Sequence, residues 1–298
     1  MTPTRGIPGP TILGMKFVVV AHRRSETNHA LAGAAAALGL PASVLSPRDA
    51  LRTLEPGDIA LGRLDVRDEV DGVESGAAEL ERLAAGGAAL LNPPSALVAA
   101  HDKLLTARIL RRAGVPHPRT WLIAEGIPSP APELPVVLKP RFGSWGRDVV
   151  RCSTAEELDG ELARLSTRPW FVDHGVLAQE LIAPVGWDLR LIVAGGRVIG
   201  SARRTAAAGE WRTNVALGGS SARAEAPPLA QRLALEAAHA VNGDLVGVDL
   251  LPRSGGFVVA EVNGAVDFMP HYAVGPGNVY RNAVHELLRV ALIRRAAA

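Results

Sequence analysis

The chain of 298 residues contains a single cysteine, Cys152. One thiol excludes an intrachain disulfide framework and any zinc site built from several cysteines, and it fits a reducing, cytoplasmic setting. Aromatic residues are scarce, at 4%. Net charge is only +2, and the basic residues are scattered rather than drawn into a stripe with interleaved aromatics, so no nucleic-acid partner is expected. No run of about twenty apolar residues occurs, which argues against a membrane partner. The opening MTPTRGIPGPTILGM has Pro and Gly where a signal peptide needs a continuous apolar stretch, and residues 1–15 read as a loose leader. Of the eight histidines, His22, His29, His101, His271 and His285 do not pair at metal-ligand spacing and read as structural or solvated. The first strand is followed by HRRSETN instead of G-x-G-x-x-G, so a dinucleotide cofactor is not expected.

What is present is an ordinary folding composition, 48% hydrophobic and 21% charged, in a chain long enough for two or three subdomains around a cleft. KFVVVA is a short, β-branched apolar run of the kind buried in parallel sheets. Residues 28–38 read as a helix, PASVLS and DIALGRL as further strands, and the alternation marks a doubly wound α/β unit over 16–94. After Pro93-Pro94, SALVAAHDKLLTARILRRAG reads as one amphipathic helix closed by Gly114. It opens a second unit, 95–176, with strands TWLIA and VVLKP and the helix STAEELDGELARL. The third, 177–298, holds a hairpin through Gly195-Gly196, the helix LAQRLALEAAHAV, and strands LVGVDLL and FVVAEVN, and is antiparallel α+β.

Two groups of residues carry chemistry. Lys139 ends a buried strand and is followed by Gly143, Ser144 and Gly146; a cation beside an amide-rich loop is a means of holding phosphate. Asp249, Glu261 and Asn263 interrupt apolar strands, and Glu261 and Asn263, two apart, share a face. Two carboxylates and an amide oxygen make an all-oxygen site suited to Mg²⁺. A third stretch, Glu210-Trp-Arg-Thr-Asn214, reads alone as a surface loop, although Arg212 could clamp two oxygens at once.

In order, N-P-P…H-D-K, V-V-L-K-P-x-x-G-S-x-G, Q-E-L-I, D-x-R, W-R-T-N…G-G, V-D-L and E-V-N resemble the RimK-type branch of the ATP-grasp superfamily, from about Asn92 to Asn263. The spellings G-S-W-G-R and E-W-R-T-N are most similar to LysX-like ligases, which join an amino acid's amine to a glutamate carboxylate of a small acidic carrier protein. The resemblance implies an ATP-grasp fold, with a Rossmann-like N-terminal domain and two lobes enclosing ATP. It implies an ATP-dependent carboxylate–amine ligase that works through an acyl phosphate. Lys103 and Lys139 would touch the ATP phosphates under a mobile loop of Gly143, Ser144, Trp145, Gly146 and Arg147. Gln179, Glu180 and Leu181 would meet the adenine, and Asp188 the ribose. Arg212 and Asn214 would face the γ-phosphate and reacting carboxylate, with Arg190 and Arg203 as further partners for phosphate or substrate carboxylate. Asp249, Glu261 and Asn263 would hold two Mg²⁺ ions, or Mn²⁺ in their place. A glutamate ligase acting on a small molecule or a protein C-terminus, and a non-catalytic ATP-binding regulator, are the alternatives. Val215-Ala216-Leu217 and the run after Asn263 depart from the family pattern at the substrate end, where His271 and Tyr272 would border the pocket. Related ligases are commonly dimers or tetramers, and the apolar helix NAVHELLRVALI is expected at such an interface.

Overall fold

The computed structural model describes residues 14–127, 131–275 and 277–297. Most of the expected leader, residues 1–13, lies outside the described residues.

The chain opens with β1 (Phe17–Val20), α1 (Glu26–Ala36), β2 (Ala42–Leu45), α2 (Pro47–Thr53), β3 (Ile59–Gly62), α3 (Ala77–Ala85) and β4 (Ala89–Leu91). The strands form one parallel sheet in the order β2-β1-β3-β4. Every residue of β1 is buried because both sheet faces are covered. Phe17 and Val19 pack towards α1, and Val18 and Val20 pack with Leu80 and Leu83 of α3. Helix α1 begins two residues before the expected start because the Ser25 hydroxyl accepts from the Asn28 amide.

The expected single helix after Pro93 is two: α4 (Pro94–His101) and α5 (Lys103–Arg112). Asp102 breaks it. Its backbone is extended while its carboxylate accepts from the amides of Leu104 and Leu105, and the same carboxylate takes both Nε (2.8 Å) and Nη2 (2.5 Å) of Arg141. A helical Asp102 could do neither, and the amphipathic periodicity hid the break.

Next come β5 (Thr120–Ile123), β6 (Val136–Pro140), β7 (Val150–Cys152), α6 (Ala155–Leu165), α7 (Pro169–His174) and β8 (Val176–Glu180). The four strands make an antiparallel sheet, β5-β8-β6-β7. The expected boundary at 176/177 therefore cuts through a strand: β8 pairs with β5 and β6, and its burial in that sheet assigns it to the central lobe. Cys152 is buried in this core, which removes it from any nucleophilic role.

The third sheet, β11-β10-β9-β12-β13, is antiparallel and built from β9 (Trp187–Ala194), β10 (Arg197–Thr205), β11 (Ser220–Arg223), β12 (Leu245–Arg253) and β13 (Gly256–Asn263). Helix α8 (Pro228–Ala240) covers one face with Ala230, Leu233, Ala234 and Ala237. Helix α9 (Val279–Ala297) closes the chain. Its apolar residues Ala283, Val284, Leu287 and Ala291 share one core with Phe17 and Leu31 of the first unit and Ile192 and Leu245 of the third. The face expected at a subunit interface is thus consumed inside the chain. Asn92, between β4 and α4, adds a polar staple. Its side-chain oxygen accepts from the amides of Asp244 and Leu245, and its Nδ2 donates to the Leu245 carbonyl. No helix among the described residues is long and apolar enough to cross a membrane.

Candidate functional site

A cleft lies between the central sheet and the third sheet. Lys103, Lys139, Gly143, Ser144, Trp145, Gly146, Arg147, Gln179, Glu180, Leu181, Asp188, Arg212, Asn214, Asp249 and Glu261 all line it. Residues far apart in sequence meet here because β6 and β8 carry one wall and β9, β12 and β13 the other. Arg190, Arg203 and Asn263 are not in the lining.

The two lysines enter from different elements. Lys103, at the start of α5, lies 2.9 Å from Glu261 Oε1 and donates to the Gly143 carbonyl. Lys139, the fourth residue of β6, donates to Gln179 Oε1 at 2.7 Å. Burial pulls the Lys139 ammonium down to about 8, with Lys103 pushing the same way and Glu261 opposing.

Asp249 and Glu261 stand directly opposite each other on β12 and β13. A bulge between Asp249 and Leu250, with Ala260 as the extra residue, sets that register. Two facing carboxylates repel, and the structure offsets this with guanidinium groups. Asp249 is bound by Nε and Nη2 of Arg190, each at 2.7 Å, and by Arg204 Nη2 at 2.9 Å. Burial alone would raise the Asp249 carboxyl; the two arginines overcome it and hold it at about 2. Glu261 is likewise held low by Lys103 against burial and against Asp249. Among the described residues no cluster of three His, Cys, Asp or Glu side chains is placed to hold a metal. The acidic set here is two carboxylates with an amide, Asn263, two residues along β13 from Glu261, and the buried Asn263 Nδ2 has no hydrogen-bond partner. The donor set of two facing carboxylates and the Asn263 amide oxygen fits a divalent cation and its all-oxygen shell; the unpartnered Nδ2 is a hydrogen-bond donor and has no part in that fit.

Arg203 and Arg204 are adjacent on β10 and must point to opposite faces. Arg203 is exposed and lies over the Trp187 ring at 4.4 Å. Arg204 is the one that enters the cleft, and the sequence reading missed it. It binds Asp188 through Nε (2.8 Å) and Nη2 (2.5 Å). Asp188, expected at a ribose, has both oxygens committed to Arg204 and also accepts from the Thr213 hydroxyl. The signal for Arg204 was available in principle: D-x-R on the neighbouring strand supplies an acidic partner that one of two consecutive arginines would meet.

Two loops roof the cleft. Trp145, Gly146 and Asp148 have positive φ, so the Gly-rich segment is tightly coiled. The guanidiniums of Arg23 and Arg147 each lie 4.8 Å from the centre of the Trp145 ring, and the Arg23 contact ties this loop to the N-terminal unit. A Cβ at Gly146 would come within 3.1 Å of Asn214 Oδ1 and of a Leu217 methyl. The second loop is thus in direct contact with the first. Arg212 links them, donating Nη1 to the carbonyls of Gly146 (3.1 Å) and Val149 (3.2 Å), while Glu210 takes its Nε and Nη2. Those bonds from Arg212 pull the Glu210 carboxyl down to about 2.

Leu181, Ile182, Ala183, Pro184, Val185, Trp187, Leu251 and Pro252 give the cleft an apolar stretch of lining. Leu181 donates its amide to the Pro135 carbonyl at 3.2 Å, and the Glu180 carboxylate accepts from the Arg119 amide. His271 and Tyr272, expected beside the substrate, are not in the lining; both contact the Ser221 hydroxyl at 3.1 Å.

Comparison with known proteins places this geometry in a family. A model described as the RimK-like ATP-grasp domain matches residues 100–271. The tetrahydromethanopterin:alpha-L-glutamate ligase of Methanosarcina acetivorans is 34% identical over 218 residues, 65% of this chain and 65% of that protein, so the chain matches less than two thirds of that relative's length. Among solved structures, the RimK domain protein ATP-grasp of Sphaerobacter thermophilus superposes with a TM-score of 0.63 at 22% identity, over 92% of this chain and 99% of that one. The D-alanine–D-alanine ligase of Bacillus anthracis gives 0.68 at 16% identity, over 95% and 99%. The fold is an ATP-grasp fold, and the chain belongs to the RimK-like ATP-grasp domain family.

Proposed function

We propose that the protein is an ATP-dependent carboxylate–amine ligase in which one of the joined partners is glutamate. One observation carries the reading. A single cleft is lined by an apolar stretch, two lysines and a Gly-rich loop, and by the facing carboxylates Asp249 and Glu261, the latter 2.9 Å from Lys103. That set of environments matches adenine, phosphates and a phosphate-bound divalent cation. The alpha-L-glutamate ligase names of the relatives support glutamate as a partner.

Asp249 and Glu261, with Asn263, are the residues that would hold Mg²⁺. When bound, the ion supplies charge neutralisation on phosphate oxygens. The chain's own groups do the rest. A carboxylate is a poor electrophile. In the first step a substrate carboxylate oxygen bonds to the γ-phosphorus of ATP while the bond to ADP breaks. Lys103 and Lys139 counter the charge spreading over the transferred group. In the second, an amine attacks the acyl carbon, phosphate departs, and the amine's surplus proton is lost. Arg212 reaches the roof carbonyls from beside this path, and on nucleotide entry it would exchange them for the oxygens of the tetrahedral intermediate; such a donor contributes about 2.7–4 kcal/mol. The two roof loops exclude water, which would otherwise hydrolyse the acyl phosphate.

The finer reading, that the acceptor glutamate ends a small acidic carrier protein, rests on the LysX-like spelling of the Gly-rich and Glu210–Asn214 loops. Mg²⁺-dependent ADP release, measured for each amino acid with and without a Glu-terminated carrier or free glutamate, tests both levels. Turnover that requires two partners and disappears in Glu261→Gln supports the ligase. ATP binding without turnover on any pair favours the non-catalytic regulator.

A further inference from the structure

We infer that His117 is a positioning residue for the nucleotide site: it fixes the amide of Gln179 so that its oxygen, and not its nitrogen, meets the Lys139 ammonium. The inference rests on the nucleotide reading of the cleft.

His117 lies in the link between α5 and β5, on the edge of the central lobe. Its Nδ1 is 2.6 Å from the carbonyl of Val259 on β13, in the third sheet. A carbonyl only accepts, so Nδ1 carries the hydrogen. Burial first, and the Lys139 charge second, draw His117 down to about 4, so the ring is neutral near pH 7. A neutral ring with hydrogen on Nδ1 has a bare Nε2, which accepts from Gln179 Nε2 at 3.2 Å. The second hydrogen of that amide goes to the Thr120 hydroxyl at 2.9 Å, which in turn donates to the Pro118 carbonyl at 3.0 Å. With both its hydrogens placed, Gln179 can turn only its oxygen to Lys139, at 2.7 Å.

Each link forces the next. Reversing the Gln179 amide would set its NH₂ against the ammonium of Lys139 and its oxygen against the lone pair of His117 Nε2, two clashes in a buried setting where they are expensive. Val259 borders the bulge residue Ala260 that brings Glu261 opposite Asp249, and its own amide donates to the Pro116 carbonyl at 2.8 Å. The 116–117 segment therefore grips β13 beside the acidic pair while it orients the lysine across the cleft. Nothing in the sequence marks His117, because its partners come from β5, β8 and β13.

The two ring nitrogens can be tested apart. His117→Gln places an acceptor near the Nε2 position and loses the bond to Val259. His117→Asn keeps a donor for Val259 and loses the acceptor. ADP with Mg²⁺ is titrated calorimetrically into each full-length variant, with melting temperature as the control for folding. The expected result is that His117→Asn weakens ADP binding about tenfold, that His117→Gln stays near wild type, and that His117→Asn has no further effect in a Gln179→Leu background. The opposite order, with the Gln variant weak and the Asn variant normal, would overturn the inference in favour of a purely structural tie to β13. Equal binding by both variants and wild type would overturn it too. Failure of the wild type to bind ADP would instead remove the nucleotide reading on which it stands. If His117→Asn does not fold, Gln179→Leu takes its place, and unchanged ADP affinity there overturns the relay.

Discussion

Replacing Arg203 and Arg204 one at a time tests the assignment of faces on β10. Arg204 is 5% exposed and supplies two hydrogen bonds to Asp188 and one to Asp249. In Arg204→Met the volume is roughly kept, but two buried carboxylates lose a shared counter-charge. Removing one partner of a buried ion pair costs about 3–5 kcal/mol. At about 2–4 °C per kcal/mol for a chain of this size class, the melting temperature should fall by about 10 °C. Arg203 has only its stack on Trp187 to lose, about 0.5–1 kcal/mol, so Arg203→Met should melt within about 3 °C of wild type. The linkage gives a second signature. The Asp249 carboxyl is held at about 2 against an ordinary value of 3.8, so its stabilisation is present above pH 3.8 and is lost as pH falls towards 2. Without Arg204 the folded-state value rises, and acid unfolding should begin at higher pH. Melting curves followed by circular dichroism at pH 7 and in steps from pH 5 down to pH 2 measure both effects. If Arg203→Met is as damaging as Arg204→Met, the assignment of Arg204 to the buried face of β10 and Arg203 to the exposed one is wrong.

Other outcomes follow from the same contacts. Gly146→Ala puts a methyl within 3.1 Å of Asn214 and Leu217 at φ +74°, a left-handed position costing about 1–2 kcal/mol for a residue with a Cβ; ADP release should drop at least about tenfold, with the melting temperature lowered by about 2–8 °C. Lys139 titrates at about 8 instead of 10.5, so its ammonium is present below pH 8. ADP affinity should be flat up to that point and then decline towards about tenfold per pH unit. Because the unfolded lysine holds its proton up to 10.5 and the folded one does not, this group makes stability rise between pH 8 and 10.5, and Lys139→Met should abolish both trends. Asp102→Ala removes the α5 cap and the partner of Arg141 together, and urea unfolding should show a loss of about 2–4 kcal/mol, with Asp102→Asn intermediate because its side-chain oxygen still caps.

Much of the molecule was legible from residue order. Buried β-branched runs such as FVVV, the Ser/Thr cap that opens STAEELDGELARL, and the Gly195-Gly196 turn are local features, and each placed an element that the structure contains. The motif series from Asn92 to Asn263 identified the family because side chains that share one cleft keep a fixed order even when the intervening lengths are not informative. Tertiary structure alone decided matters that depend on what lies alongside. Period-two alternation says that Arg203 and Arg204 face opposite ways, but only pairing with β9, which brings up Asp188, determines which one enters the cleft. Helical periodicity runs straight through Asp102, and the break appears only when Arg141 arrives from the end of β6. Strand β8 joins the central lobe because β5 and β6 offer it backbone partners, a choice no feature of VLAQE itself encodes. The apolar face of α9 is the same in any chain that carries it. Whether it meets a second subunit or its own α1 and β9 is fixed by where the rest of the chain leaves uncovered apolar surface, and here that surface is its own.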